Sequence, residues 1–280
     1  MATTGRRESQ PRLDRRDRTR ALRDESEAGL GRVAARELPP GETLRELGGA
    51  EGYDCVGVSV RADRLTVLRS RIHLCRHGEV DKAWRSRIYG ASDVALADAG
   101  KARFDAIADD LARIEFAAIY ASDLERAKDG AGRIAAACRL EVVIDPRLRE
   151  IDRGEWVGLT LDEIEERWPG GVDAYLADPN GYAGHGGETH RDLADRVWPV
   201  LEELADRHVG EQVLVVCHGQ LMRAVVARAL GISGARSLNL MTGNGGLTTV
   251  DRFDDGVWVV QAVNAPTLRG GEWGGREFKP

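Results

Sequence analysis

Apolar and polar positions follow two regimes along the chain. From residue 71 onward, short unbroken apolar runs alternate with stretches whose apolar residues recur at helical spacing. The runs at 72–75, 117–120, 141–144 and 212–217 predict buried strands. Helices are predicted over 99–113, where Ala102, Ala106, Ile107 and Leu111 share a face, and over 123–138. Further helices are predicted over 161–168, stopped by Pro169-Gly170-Gly171, over 193–209, with Leu201, Leu204 and Ala205 on one face, and over 221–230. A turn of helix is expected at 173–177 and a glycine-rich loop at 180–188. Residues 247–250 and 257–260 flank Asp254-Asp255-Gly256 and predict a closing hairpin. Apolar strands alternating with helices predict a three-layer α/β/α sandwich around a mainly parallel sheet.

Before residue 71 this order is missing. Residues 1–50 are dense in Arg, Glu and Asp and end in the breaker Pro39-Pro40-Gly41, which predicts a disordered Arg-rich extension. Residues 51–70 form a lead-in, with 56–60 and 65–68 set to pair as a small hairpin around Ala62-Asp63. Residues 71–265 make the domain, and 266–280 a glycine-rich loose tail. An over-extended start, with the protein proper beginning near Val67, is the other reading of the N-terminal region.

Composition narrows the setting. A net charge of -6 gives no electrostatic reason to expect nucleic acid or a membrane as partner. No apolar run approaches the roughly 18 residues of a membrane span. The N-terminus lacks an apolar core and carries Glu8, Asp14 and Asp17 among its arginines, unlike a secretory signal or transit peptide. Cys55, Cys75, Cys138 and Cys217 form no CxxC pair, so free thiols and a reducing cytoplasm are expected, with Cys75, Cys138 and Cys217 as small hydrophobes.

The chemistry gathers at strand ends. The strand at 72–75 runs into Arg76-His77-Gly78, and the one at 212–217 into His218-Gly219. Ligands of open α/β sheets bind outside the carboxyl ends of strands, so both histidines are set to face one pocket. The strand at 117–120 leads to Arg126, and that at 141–144 to Glu150. Two His, two Arg and a Glu are what phosphoryl transfer needs. Imidazole attacks in its neutral form, guanidinium groups hold the phosphate oxygens with paired hydrogen bonds, and a carboxyl group serves the leaving oxygen. Fixed cations of this kind take the place of a metal.

Five blocks resemble the histidine phosphatase superfamily in its phosphoglycerate-mutase-like branch. They are Leu74-Cys75-Arg76-His77-Gly78-Glu79, residues 120–127 around Arg126, Leu148-Arg149-Glu150 with 154–158, Gly186-Gly187-Glu188-Thr189, and Val216-Cys217-His218-Gly219. They occur in the family's order and cover roughly 70–264. The resemblance implies a phosphoglycerate-mutase-like fold and a phosphoric monoester hydrolase, of the histidine acid phosphatase type, acting on a small-molecule phosphate monoester. It implies no cofactor and no metal. His77 is the implied nucleophile, Arg76, Arg126 and His218 the phosphate pocket, and Glu150 the proton donor, with Glu155 the alternative. Gly78, Glu79, Arg87, Tyr89, Glu188, Thr189 and Gly219 are candidates for touching substrate. A homodimer is the expected assembly.

Two departures from the family leave the substrate open: no Asn follows Trp84, and Asp129-Gly130 stands where a Thr is common. Two other functions compete, a phosphoglycerate-type mutase and a non-catalytic phospholigand-binding module. The alternation of His73, Cys75 and His77 suggests a metal site, but a buried strand alternates anyway and Arg76 is a poor neighbour for a dication. His185 and His190 flank the glycine-rich loop; either is a candidate for touching substrate, but solvent-exposed loop histidines are the default expectation. Gly243-Asn244-Gly245-Gly246 precedes a strand rather than opening a helix, so a nucleotide loop is discounted. The segment with Trp84, Arg85, Arg87 and Tyr89 either grips substrate or is anchored by its own aromatics.

Overall fold

The structure is a computed structural model that describes residues 58–61 and 64–265. The extension over 1–50, much of the lead-in, Cys55 and the tail over 266–280 lie outside the described residues. The strands are β1 (Val58–Arg61), β2 (Arg64–Arg76), β3 (Phe116–Ala121), β4 (Val142–Ile144), β5 (Gln212–Cys217), β6 (Leu247–Phe253) and β7 (Trp258–Ala265). The helices are α1 (Asp98–Leu111), α2 (Glu125–Cys138), α3 (Leu161–Arg167), α4 (Gly171–Ala177), α5 (His190–Arg207), α6 (Gly219–Leu230) and α7 (Gly234–Ser237).

The sheet order is β4-β3-β5-β2-β6-β7, with β1 pairing β2. β4, β3, β5 and β2 run parallel, whereas β2–β6, β6–β7 and β1–β2 are antiparallel. The sheet is therefore mixed, which corrects the mainly parallel expectation. The reason is connectivity: β6 and β7 are joined by a tight turn, which permits only an antiparallel pair, while parallel neighbours need crossover helices. β2 is also far longer than the buried run at 72–75, because Arg64–Val67 pair with β1 and the pairing with β6 begins at Leu68.

Period-two alternation divides the core into two layers. Ile72, Leu74, Val213 and Val215 pack with Leu193, Val197 and Leu201 of α5 and with Leu221, Met222 and Val225 of α6. Cys75, Leu214 and Val216 face the opposite way, onto Phe104, Ile107 and Leu111 of α1 and Ala131 and Ile134 of α2. The third core lies off the sheet: Trp156, Ile164 and Tyr175, packed with Trp168, Val172 and Tyr182. β5 sits between β3 and β2, so its carboxyl end, and that of β2, open at the centre of the sheet edge.

Candidate active site

β2 and β5 pair up to Arg76↔Cys217, which carries His77 and His218 out of the sheet side by side. The His77 N–H donates to the Cys217 carbonyl at 2.9 Å. Both imidazoles are buried, with ring centroids 5.3 Å apart. His77 Nδ1 lies 2.7 Å from the Gly78 carbonyl, an acceptor, so this nitrogen carries the proton. Nε2 is then the atom with a free lone pair, and it is buried without a partner. Burial, then the Arg126 and Arg76 charges, push the His77 pKa well below the usual histidine value. Burial, His77 and the same arginines do likewise to His218.

His218 is the N-cap residue of α6, yet its side chain makes no capping bond. Glu150 supplies one instead. Its Oε1 accepts from the N–H groups of Ile151 (3.0 Å) and Leu221 (3.2 Å), and its Oε2 from Gln220 (3.1 Å). The carboxylate thus takes over the first-turn donors of α6 and leaves both His218 nitrogens without partners. Glu155 is exposed, and its N–H donates to the His185 carbonyl.

Arg126, in the first turn of α2, is fully buried. Its two terminal nitrogens donate to the Ser92 (2.6 Å) and Gly90 (2.7 Å) carbonyls, and its Cζ lies 5.1 Å from the Tyr89 ring centroid. Arg76 donates to the Thr242 carbonyl. Its own backbone is clamped by the 243–246 loop, through Arg76 N–H to Gly246 and Gly245 N–H to the Arg76 carbonyl. A Cβ on Gly219 would sit 3.1 Å from Arg76 Nε, so a glycine here lets the guanidinium pass. Arg76 Nε, Arg126 Nε, His77 Nε2 and both nitrogens of His218 are five buried polar atoms without a partner. An unpartnered buried polar atom costs about 1–3 kcal/mol, so a cluster of them at one strand edge marks where a polar ligand belongs.

The remaining candidates separate. Tyr89 sits at the pocket, edge-on to His77 at 6.3 Å. Gly78 packs against the Gly100 backbone, where a Cβ would meet the Gly100 carbonyl oxygen at 2.7 Å. Glu79 is held by Arg85, and Arg87 donates to the Gly158 carbonyl and to Glu163. Trp84 packs edge-on to Tyr89 at 6.4 Å, so this segment is anchored by its own side chains. Glu188 accepts from Arg196 and from the Asp152 N–H, and Thr189 caps α5 in a capping box with Asp192, so both serve the scaffold. His73 is engaged with Gln212 and Thr249, each at 3.1 Å, which uses both its nitrogens. His185 and His190 are buried, correcting the expectation of exposed loop histidines: their rings pack against Trp156, Tyr175 and Tyr182.

Sequence reasoning missed the supports. Arg196 on α5 donates to the Arg147 (2.7 Å) and Arg149 (3.1 Å) carbonyls and to both Glu188 oxygens, pinning the segment that carries Glu150. Thr242, Ser92 and Gly90 act through main-chain carbonyls, which leave no trace in side-chain identity.

Known proteins give this arrangement its class. The model of the histidine phosphatase superfamily (branch 1) matches residues 72–266, and the chain belongs to that superfamily. It is 38% identical over 172 residues to a metal-independent phosphoserine phosphatase of Arabidopsis thaliana, covering 60% of this chain and 72% of that protein. It is 34% identical over 162 residues to phosphoserine phosphatase 1 of Hydrogenobacter thermophilus, covering 58% and 77%. The solved structure of a mycobacterial glucosyl-3-phosphoglycerate phosphatase with VO3 matches at TM-score 0.65 and 32% identity, covering 71% of this chain and all of that one.

Proposed function

We propose that this protein is a phosphatase that hydrolyses a small-molecule phosphate monoester through a phosphohistidine, without a metal. The observation that carries the reading is the buried set of unpartnered nitrogens on Arg76, His77, Arg126 and His218. His77 Nε2 attacks phosphorus, forming the N–P bond as the P–O bond to the leaving alcohol breaks. Arg76, Arg126 and His218 hold the equatorial oxygens. Glu150 gives its proton to the leaving oxygen, then takes one from the water that attacks phosphohistidine and releases phosphate. Oε1 already accepts two hydrogen bonds and Oε2 one, so Oε2 has the lone pair for this exchange. Among the described residues three cysteines are free, two of them buried, which suits a reducing cytoplasm. Among the described residues no helix is long and apolar enough to cross a membrane.

Relatives at 34–38% identity carry phosphatase names, and others at 33% and 29% carry mutase-like or mutase names; the higher identity of the phosphatases supports hydrolysis over a mutase reaction. The test is rapid quench with labelled substrate, which traps an acid-labile, base-stable phosphoenzyme. His77→Ala lowers kcat by several orders of magnitude and abolishes the trapped species. EDTA leaves turnover intact, because the arginines supply the positive charge. Near wild-type turnover by His77→Ala would sink the mechanism, and loss on chelation that zinc or magnesium restores would overturn the metal-free reading.

A further inference from the structure

The glycine-rich loop between α7 and β6 supplies no reacting group, yet it holds Arg76 through its main chain. The Arg76 N–H donates to the Gly246 carbonyl at 3.2 Å, and the Gly245 N–H donates to the Arg76 carbonyl at 3.0 Å. The Arg76 guanidinium donates to the Thr242 carbonyl. Arg76 is therefore placed no better than the loop itself. Gly243-Asn244-Gly245-Gly246 is mostly glycine, the residue that leaves a backbone its greatest freedom. Within the loop the Gly246 N–H donates to the Gly243 carbonyl at 2.9 Å, which closes a turn.

A further tie comes from β7, at the edge of the sheet. Its pairing with β6 slips between Leu247↔Ala265 and Thr249↔Ala262, so Val263 and Asn264 stand opposite Thr248 alone. An extra residue of this kind is a β-bulge, and bulges beside active sites re-aim a side chain. Asn264 takes a φ of +53° there. Among the described residues the only other non-glycine with positive φ is Arg139, the C-cap of α2. Asn tolerates this left-handed region better than most residues, but the conformation still costs free energy that the surroundings must offset. What Asn264 gains is a bond to the loop. Its Oδ1 accepts from the Gly243 N–H at 2.6 Å, and its own N–H donates to Thr248 Oγ1 at 3.3 Å. The fit is close: a Cβ on Gly246 would stand 2.3 Å from Oδ1, so glycine at 246 lets the amide reach the loop.

We infer that Asn264 is a positioning residue for the phosphate pocket, holding the loop that aims Arg76. It touches no reacting atom. The line of contact runs from Asn264 Oδ1 to Gly243, and from the adjoining Thr242 carbonyl to the Arg76 guanidinium. This rests on the phosphatase reading above, in which Arg76 holds the phosphate oxygens. It also gives the glycine motif at 243–246 a task, which is to make room for an amide of the same chain.

Two substitutions separate the amide from the backbone that carries it. Asn264→Gly deletes the amide but adopts a positive φ without steric cost, so the bulge stays. Its kcat/KM falls about tenfold on p-nitrophenyl phosphate and on an alkyl phosphate alike, because Arg76 meets the phosphate and not the leaving group. The Kd for inorganic phosphate, measured by calorimetry, rises by a similar factor. Asn264→Asp keeps an oxygen for the Gly243 N–H and recovers most of both losses. In an Arg76→Ala background, Asn264→Gly changes kcat/KM and the phosphate Kd by less than about twofold, since the two residues act as one unit. A merely structural role gives a different pattern, in which the loss recurs in full without Arg76. That result overturns the inference. So does wild-type turnover and phosphate affinity in Asn264→Gly, or an Asn264→Asp protein no better than Asn264→Gly. Failure of the phosphatase reading is seen separately, as wild type that does not turn over p-nitrophenyl phosphate. The phosphate titrations of the same set of proteins then decide the inference by themselves.

Discussion

The pocket at the strand ends and the aromatic segment over 151–190 are built from the same side chains in opposite ways. Each buries two histidines and places beside them an arginine with a buried nitrogen that has no hydrogen-bond partner. In the pocket, Arg76, His77 and His218 stand at the ends of strands and Arg126 in the first turn of a helix, so backbone geometry aims them. In the aromatic segment, α3 and α4 are seven residues each, too short to hold a fold by themselves. Side-chain packing of Trp156, Ile164 and Tyr175 does the aiming there. The difference teaches where rigidity resides: the side chains of the pocket are aimed by the sheet, while those of the aromatic segment are aimed by a smaller, separately packed core.

Acid gives the largest expected effect, and it reaches both regions. Burial lowers the pKa of His73, on the sheet, to about 4 and that of His190, in the aromatic segment, to about 3. A histidine held neutral in the fold binds its proton more readily when unfolded, so the unfolded state takes up protons first as pH falls below 6.5. Stability is therefore full above about pH 6.5 and is lost on acidification toward each folded-state value. At about 1.4 kcal/mol per pH unit, the two together remove on the order of 5 kcal/mol between pH 6.5 and 4.5, before most carboxylates titrate. Urea unfolding at a series of pH values checks this. Stability that stays flat down to pH 4.5 would show that these histidines are protonated in the fold.

The next effect tests the pocket's proton donor. Glu150→Gln keeps an oxygen for Ile151 and Leu221 but cannot transfer a proton. With an alkyl phosphate the rate falls by about 100-fold or more. With p-nitrophenyl phosphate, whose leaving phenolate is already stable, the fall is much smaller. Glu155→Gln, at an exposed position, is the control. A large leaving-group-dependent loss in Glu155→Gln, and none in Glu150→Gln, would move the acid along the loop.

Much of the pocket was legible in the sequence because strand ends are local features. Leu74 to Gly78 and Val216 to Gly219 each carry their own apolar run, and two runs ending in His-Gly imply a shared edge. Layering was legible for the same reason. Sheet direction was not, because the pairing of β6 with β2 is decided by a connection rather than by composition. Nor was the burial of His185 and His190: a glycine-rich stretch reads as surface until Tyr175 and Trp156, far apart from it along the helices, close over it.

Arg196 gives a smaller effect that links the two regions. It joins α5 to the main chain before Glu150 and to Glu188 in the glycine-rich stretch. It touches no reacting atom and acts as a positioning residue. Arg196→Met lowers kcat with an alkyl phosphate by about tenfold while KM moves little, because misplacement of Glu150 affects the transition state more than binding. The loss shrinks with p-nitrophenyl phosphate, as for Glu150. An equal loss on both substrates would mean general loosening rather than a displaced acid.

The smallest expected effect concerns Thr189, where the sequence suggests a pocket-lining residue and the structure shows a helix cap. Its Oγ1 accepts from the Asp192 N–H at 3.1 Å, while Asp192 Oδ2 accepts from both the Thr189 N–H (2.9 Å) and its hydroxyl (2.7 Å). All of its hydrogen-bonding capacity toward this end is used within the first turn of α5. Thr189→Ala removes the cap and costs about 1 kcal/mol, typical for loss of an N-cap hydroxyl. Thr189→Ser keeps the oxygen and restores most of it. Because α5 also presents His190 to the aromatic core, the loss appears first as faster amide exchange at the start of α5, ahead of any change in the sheet. KM for a small phosphomonoester shifts less than about threefold, a margin under 1 kcal/mol. A tenfold rise in KM with unchanged stability would return Thr189 to the pocket wall and place the boundary between the two regions one loop further out.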